Sequence, residues 1–478
     1  MNRRRFVSRT ILPAMLALCL CPAVILAVPS VDVSFDLKSP GATNSPDFIG
    51  LSYEMSVVDA AANGEHYFSV ANKPLVQIFQ TLGVRSLRVG GNTAERSTVK
   101  VPDKDDIDSL FGFARAAGVK VIYTLRLSDS NMVAAAQTAK YIMDRYRPEL
   151  TCFALGNEPD KLVGDSAAYD QMVKEYMATI TAVSNAPDAI FCGPGTMHKD
   201  VQWANDFAKD FTRDKRVLMV TQHEYPAASG RAATNASVAC AKLLSTNLTG
   251  VYQKLYDTFA PSAQAAGLRY RLEEVNSYSN GGAAGASDAY ASALWGLDYM
   301  YWWATHGAAG INFHTAGYAP GLTRPPSPAQ YVVFWNSTGG FRARPLAYAI
   351  KAFDLGSHGQ LLSVHINSNP DQVNLTAYGV LSSNGTLYVT LVNKDTARAC
   401  DATITLTNGG SYTHADAMFL AGANGDITAT AGTTLGGAAI KDDGNWSGAW
   451  TRLSGKSDNG RFSVSLTPAS AAIVRLTR

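Results

Sequence analysis

The chain runs to 478 residues, more than one ordinary domain needs, so a large domain with a smaller companion is the expectation. Hydrophobic residues make up 46% and charged residues 17%, the balance of a globular protein with a sizeable core, which excludes a disordered or fibrous chain. The formal charge is +2, but Arg3, Arg4, Arg5 and Arg9 carry four positive charges ahead of any acid; the rest of the chain is at −2, which leaves no basic field for nucleic acid.

Residues 1–27 read as an export signal. A positive start is followed by the apolar run Ile11–Ala27 and by Val28-Pro29-Ser30, with the small Ala27 suited to the cleavage site. The run is shorter than the roughly 20 apolar residues that span a bilayer. The expectation is a secreted or periplasmic protein with no membrane contact once the signal is gone. Asn2-Arg3-Arg4-Arg5-Phe6-Val7 resembles a twin-arginine export motif. Six N-x-Ser/Thr sequons, at Asn235, Asn247, Asn336, Asn374, Asn384 and Asn445, stand against a bacterial source. Once Cys19 and Cys21 leave with the signal, Cys152, Cys192, Cys240 and Cys400 remain. None forms a C-x-x-C pair, so no metal site is expected. Cys152 and Cys192 lie in apolar runs and read as buried free thiols, while an oxidising compartment permits a bridge between Cys240 and Cys400.

Residues 28–44 hold one alternating stretch, Val31–Leu37, expected to join a β-sandwich formed later in the chain. Residues 45–354 alternate short apolar runs with longer amphipathic ones. Strands are read at Phe48–Tyr53, Val84–Val89, Val119–Leu125, Thr151–Gly156, Ala189–Gly193, Val217–His223, Arg269–Glu274 and Gly310–His314. Helices are read at Lys73–Leu82, Asp105–Ala117, Ser130–Arg145, Ala167–Ser184 and Asp288–His306. Gly83, Gly118 and Gly267 stand where C-terminal caps belong. Continuous apolar strands separated by helices predict an α/β fold, a (β/α)8 barrel. No G-x-G-x-x-G follows the first strand, which disfavours a dinucleotide site, and no cofactor is expected. Residues 355–478 lose the helical period. Val373–Tyr378, Thr386–Leu391, Ala402–Leu406, Phe462–Leu466 and Ala472–Leu476 alternate between Gly, Asn and Asp, which predicts an antiparallel β-sandwich.

In such a barrel the reacting groups stand at the C-terminal ends of the strands. The fourth strand ends in Gly156-Asn157-Glu158-Pro159 and the seventh in Leu272-Glu273-Glu274-Val275-Asn276. Each places a carboxylate after an apolar run, and a buried carboxylate is costly unless paired or used. Strands four and seven face each other across the mouth. Two carboxyl groups so placed match the needs of glycosidic bond cleavage, in which one protonates the leaving oxygen and the other attacks the sugar. Alternation puts Tyr270, Leu272, Glu274 and Asn276 on one face of the strand and Glu273 on the other, without saying which face is inward.

These segments resemble the clan A glycoside hydrolases, and within them family 79, the heparanase and β-glucuronidase family. The matching stretches are Leu51-Ser52-Tyr53-Glu54, Leu87-Arg88-Val89-Gly90-Gly91-Asn92, Leu155–Pro159, Gln222-His223-Glu224-Tyr225 and Leu272–Gly282. The resemblance implies a retaining β-glucuronidase, exo-acting, with Glu158 as acid/base and Glu274 as nucleophile; it selects the face that carries Glu274. It implies that Asn157 bonds the sugar 2-hydroxyl, that Tyr225 donates to the nucleophile, and that Glu54 and Asn92 hold sugar hydroxyls. A glucuronide carboxylate would meet the turn that contains Gly281 and Gly282. The family pattern departs at Ser279, where a tyrosine is expected, and Tyr278 and Tyr318 are the candidates to stand in. His223 is expected to pack or to orient Tyr225. Trp295, Trp302 and Trp303 are expected to pack, with Trp335 and Ala227–Arg231 as walls of the site. The partner expected is a carbohydrate. Other readings are a β-glucosidase or β-xylosidase with the same catalytic pair, and a silent carbohydrate-binding protein.

Overall fold

The computed structural model describes residue 1 and residues 28–184, 188–315, 329–367, 372–408, 412–453 and 461–478. The export-signal reading and Tyr318 lie outside the described residues. The chain begins with β1 (Ser30–Thr43), which alternates: Val31, Val33 and Phe35 point to one buried side. Eight parallel strands follow: β2 (Ile49–Glu54), β3 (Ser86–Gly90), β4 (Lys120–Leu125), β5 (Leu150–Leu155), β6 (Phe191–Met197), β7 (Val217–Glu224), β8 (Arg269–Val275) and β9 (Ile311–His314). They close into a barrel, since β9 pairs back onto β2 through Ile49 and Ile311. The expected barrel is present.

The helices form where the sequence supplies both a stripe and ends. In α1 (Lys73–Leu82), Leu75, Ile78, Phe79 and Leu82 are buried, and Gly83 ends it at φ 70°. In α2 (Lys104–Ala117), Asp103 and Asp106 form a capping box and Gly118 ends it at φ 73°. Then come α3 (Met132–Tyr146), α4 (Ser166–Ser184), α5 (Gln202–Asp210), α6 (Ala236–Leu244), α7 (Asn247–Ala265), α8 (Tyr290–Thr305) and α9 (Pro345–Gly356). Most of the core lies between strands and helices. A small cluster of Ile122, Cys152, Ala154, Cys192 and Met219 fills the barrel interior. The four described cysteines are free and buried, and Cys240 faces the Gly285 carbonyl at 3.1 Å, so the bridge to Cys400 does not form.

A hairpin of β10 (Phe334–Ser337) and β11 (Gly340–Ala343) precedes α9. The last part of the chain forms a ten-stranded sheet with β1 inside it. Its other strands are β12 (Gln360–Asn367), β13 (Leu375–Leu381), β14 (Leu387–Asn393), β15 (Cys400–Thr407), β16 (His414–Ala421), β17 (Thr434–Leu435), β18 (Thr451–Arg452), β19 (Arg461–Leu466) and β20 (Ser470–Thr477). β1 runs antiparallel to β12 and parallel to β15. Strands far apart in the sheet order share one core: Ile404 and Val464 with Val389 and Val474. The sheet is therefore folded over itself. The sequence reading does not include β16, whose Ala and Asp residues are poor strand formers. It is a strand because it pairs with β20 over its whole length.

Candidate active site

β5 ends at Leu155, and the chain turns sharply at Gly156, with φ 78°, and Glu158, with φ 48° and ψ 59°. A non-glycine residue in the left-handed region, directly before Pro159, is a conformation that a site keeps for a purpose. It buries the Glu158 side chain in the barrel mouth. One oxygen, Oε1, lies 3.2 Å from His223 Nδ1. The other, Oε2, takes a close contact from the Lys161 ammonium, three residues on.

Glu274 reaches the same mouth by a different device. β7 pairs with β8 as Gln222 to Leu272 and then His223 to Glu274, stepping over Glu273. On the other edge, β9 pairs Ile311 with Leu272 and then Phe313 with Val275. This bulge breaks the alternation of the strand. Tyr270 packs outward on Phe259 of α7, while Arg271, next in line, faces inward to Asn312 at 2.6 Å. Plain alternation would carry Glu273 inward and Glu274 outward with Tyr270. The bulge brings both inside, so the expected separation of the two glutamates onto opposite faces does not hold.

The Arg88 guanidinium donates to Glu274 Oε2 at 2.6 Å, and the Tyr225 hydroxyl donates to Oε1 at 2.9 Å. Burial alone would raise the Glu274 carboxyl. The charges of His314, His223 and Arg88, with the Tyr225 hydroxyl, outweigh it and hold the group well below the usual carboxylate range. Arg88 also donates to Asn157 Oδ1 at 2.6 Å and to Ser52 Oγ at 3.2 Å, and so ties strands β2 and β3 to the turn after β5. The Asn157 backbone N–H is held by Glu95 Oε1 at 3.1 Å. His314, at the end of β9, stands 3.7 Å from Glu274 Oε2 and 3.7 Å from Glu54 Oε1. Burial would lower its pKa, but those two carboxylates raise it. The sequence reading does not single out Arg88, Lys161, His314 or Glu95. Arg88 does leave a signal, a lone charge within the apolar run Leu87–Val89, and so does His314 at the end of its strand.

Glu54 accepts from the Thr93 N–H at 2.8 Å and the Thr93 hydroxyl at 2.6 Å through one oxygen, leaving the other toward His314. Asn92 Oδ1 accepts from Lys161 at 3.3 Å. His223 contacts Glu158 and Glu273 rather than Tyr225. Tyr278 does not reach the carboxylate pair: its hydroxyl donates to the Ala239 carbonyl of α6 at 3.1 Å. Ser279 donates to the Ala228 carbonyl at 3.3 Å, and its backbone bridges Ser229, so the turn at 278–282 and the loop at 227–231 form one unit. Gly281 and Gly282 sit at φ 86° and 85°. Among the described residues, the Asn280 and Gly281 N–H groups have no acceptor. Trp295 and Trp303 are buried against α7, and Trp302 stacks on His306 at 3.7 Å. Trp335 is covered by the Arg344 guanidinium, 4.6 Å from its ring centre.

Ligand atoms of Glu158, His223 and Glu274 lie within 4.8 Å of one another. A cation there would meet the Arg88 guanidinium and the Lys161 ammonium at the same oxygens, so the charge already present suits an anionic nucleophile rather than a metal. Two carboxylates at this separation, one held ionised and one beside a displaceable ammonium, are able to attack and to protonate opposite sides of one bond.

No protein-family model matches the chain, and no curated protein matches it. Solved structures do. A 4-O-α-L-rhamnosyl-β-D-glucuronidase from Fusarium oxysporum 12S, solved with Rha-GlcA, matches with a TM-score of 0.69 and 19% identity over 92% of this chain and 99% of that one. A family 51 arabinofuranosidase from Xanthomonas axonopodis pv. citri matches with a TM-score of 0.67 and 12% identity over 94% and 100%. A family 44 xyloglucanase from Paenibacillus polymyxa matches with a TM-score of 0.61 and 12% identity over 94% and 100%. At these identities the likeness is one of fold, and the chain has the barrel and sheet architecture shared by these glycoside hydrolases.

Proposed function

We propose that the protein is a retaining O-glycoside hydrolase acting on β-glucuronides, with Glu274 as nucleophile and Glu158 as acid/base. The observation that carries this is the carboxylate pair, whose oxygens approach within 4.8 Å. Retaining enzymes need about 5–5.5 Å between the groups, because the nucleophile itself bonds the sugar and no water stands between. In the first step substrate displaces Lys161, Glu158 gives its proton to the leaving oxygen, and Glu274 bonds the anomeric carbon. In the second, Glu158 takes a proton from water as the water oxygen bonds the anomeric carbon and the bond to Glu274 breaks, which releases the sugar with its configuration kept. Arg88 and Tyr225 keep Glu274 ionised and aimed.

The glucuronide part rests on the turn after β8, which offers the Asn280 and Gly281 N–H groups to an anion, and on the resemblance of Leu272–Gly282 to family 79. A neutral β-glycoside is the second reading, favoured by Tyr278 and Ser279 being engaged elsewhere. Residues 1–27 fit a cleaved export signal, so we place the enzyme outside the cytoplasm.

The test uses paired nitrophenyl glycosides. Glu274→Ala loses turnover, and azide restores part of it with product of inverted configuration. Retained activity in Glu274→Ala sinks the mechanism. With the wild-type enzyme, glucuronide is preferred to glucoside about a hundredfold, as two charge-assisted hydrogen bonds allow. A ratio near one removes the glucuronide label and leaves the mechanism standing.

A further inference from the structure

The proposed chemistry leaves one buried carboxylate of the barrel mouth without a task. Glu273 is 1% exposed, and its oxygen lies 3.7 Å from His223 Nε2. The opposite nitrogen of the same ring, Nδ1, lies 3.2 Å from Glu158 Oε1. Glu273, His223 and Glu158 thus form a line across the barrel, on three different strands or strand ends, with His223 fully buried at its centre. The backbone is built around this line. Glu273 faces inward by plain alternation from Arg271, and the β8 bulge brings Glu274 in beside it. On β6, Gly195 has φ 65°, and a Cβ there would stand 2.4 Å from Glu273 Oε1 and 3.4 Å from His223 Nε2.

A neutral side chain of the same shape would fill the space at 273 without the cost of burying a charge. What a carboxylate adds is a hold on one edge of the imidazole. We propose that Glu273 is a positioning residue for the acid/base: through His223 it fixes Oε1 of Glu158, so that Oε2 is the oxygen presented to the leaving group. This rests on the hydrolase reading above. Oε2 is the oxygen that Lys161 covers, and the Lys161 side chain is half-exposed, so it is the partner that substrate can displace. Oε1 has no such freedom. Its partner ring is buried between Glu158 from the turn after β5, Glu273 and Glu274 from β8, and the Arg88 guanidinium from β3, which comes within 3.5 Å of Nε2. The Cys192 thiol of β6 lies 3.9 Å from the other Glu273 oxygen. A hydrogen bond from the Cys192 thiol to Cys152, together with burial, pushes its pKa well up and keeps it neutral.

The test is Glu273→Gln in the full-length enzyme, assayed as kcat/KM on a nitrophenyl and a methyl glycoside of the sugar it cleaves best. A mis-aimed acid matters most when the leaving group is poor. The expected loss on the methyl glycoside exceeds that on the nitrophenyl glycoside by about tenfold or more, within the range that general acid catalysis supplies. The limb of the pH profile that Glu158→Gln abolishes moves by about half a unit or more. Glu273→Gln adds nothing in a His223→Gln background. Equal losses on both substrates, with that limb in place, overturn the proposal and make Glu273 a packing residue. Should Glu273→Gln not fold, Glu273→Asp, which keeps the charge but draws it back from Nε2, carries the same expected signature and is judged by the same two outcomes. Glu158→Gln is run alongside: if it lacks the leaving-group effect, the acid assignment itself falls and takes this proposal with it. If it shows the effect and Glu273→Gln does not, only the role of Glu273 is lost.

Discussion

Glu224 and Glu274 stand on neighbouring strands and are both buried, yet their carboxyls are driven in opposite directions. Glu274 has Arg88, His314 and Tyr225 around it and is held ionised. Glu224 points the other way, toward α8, where its described partner is the Tyr299 hydroxyl. Burial pushes it up to about 8 against the weaker pull of that hydroxyl. The folded protein then keeps a proton on Glu224 that the unfolded chain releases near 4.5, so this stabilisation is full below about 4.5 and lost as the pH rises to about 8. Glu224→Gln removes the titration while keeping an acceptor for Tyr299. The variant should show a flatter Tm profile between these pH values than wild type and a higher Tm at the upper end. Parallel profiles would mean that Glu224 is already ionised in the fold. The residues flanking each glutamate in the sequence do not carry this difference, and only their neighbours in space separate them.

At the scale of the element, the active arrangement depends on one irregular strand. From its sequence β8 reads as a regular strand, whose alternation sorts Glu273 from Glu274. A bulge inserts one residue against both neighbours, and no local composition marks it. Most of the barrel strands are legible because they are apolar runs buried on both sides, and the glycine ends of α1 and α2 are legible because only a left-handed residue completes them. The loops that follow β7 and β8 are joined at close range: a Cβ at Gly230 would lie 2.2 Å from the Gly282 carbonyl oxygen. Gly230→Ala must push the 227–231 loop away from the turn at 278–282. We expect KM for glucuronides to rise severalfold while the effect on a matched glucoside is smaller, because misplacing a binding element by about 1 Å is enough to cost affinity. Equal changes on both sugars would separate that turn from carboxylate recognition.

For the whole molecule, α8 is the joint. It is buried on nearly every side, with Tyr299 against Phe313 of the barrel and Tyr301 stacked on Tyr378 of the sheet at 4.8 Å. Asp298 accepts from Lys394 at 2.6 Å, from the Tyr378 hydroxyl at 2.7 Å and from the Thr376 hydroxyl at 2.5 Å, in a pocket where both charged partners are buried. Removing one partner strands the other, at a cost of about 3–5 kcal/mol. Lys394→Ala should therefore lower Tm clearly, and pairing Lys394→Met with Asp298→Asn should recover much of the loss, because the hydroxyls keep their acceptor and no lone charge remains. A calorimetric scan decides this; an unchanged Tm in Lys394→Ala would show that the ion pair contributes nothing net.

The sequence by itself determined the eight barrel strands, the helices α1 to α4 and α8, the sandwich-like alternation after the barrel, and the positions of Glu158 and Glu274 at strand ends. Those features are local: period, caps and a polar residue closing an apolar run. Only the tertiary structure decided that Arg88 grips Glu274, that His223 meets Glu158 rather than Tyr225, that Tyr278 turns to α6, and that β1 lies between β12 and β15. Each depends on barrel closure, on a bulge, or on pairing between segments hundreds of residues apart. No window of neighbouring residues encodes such distances.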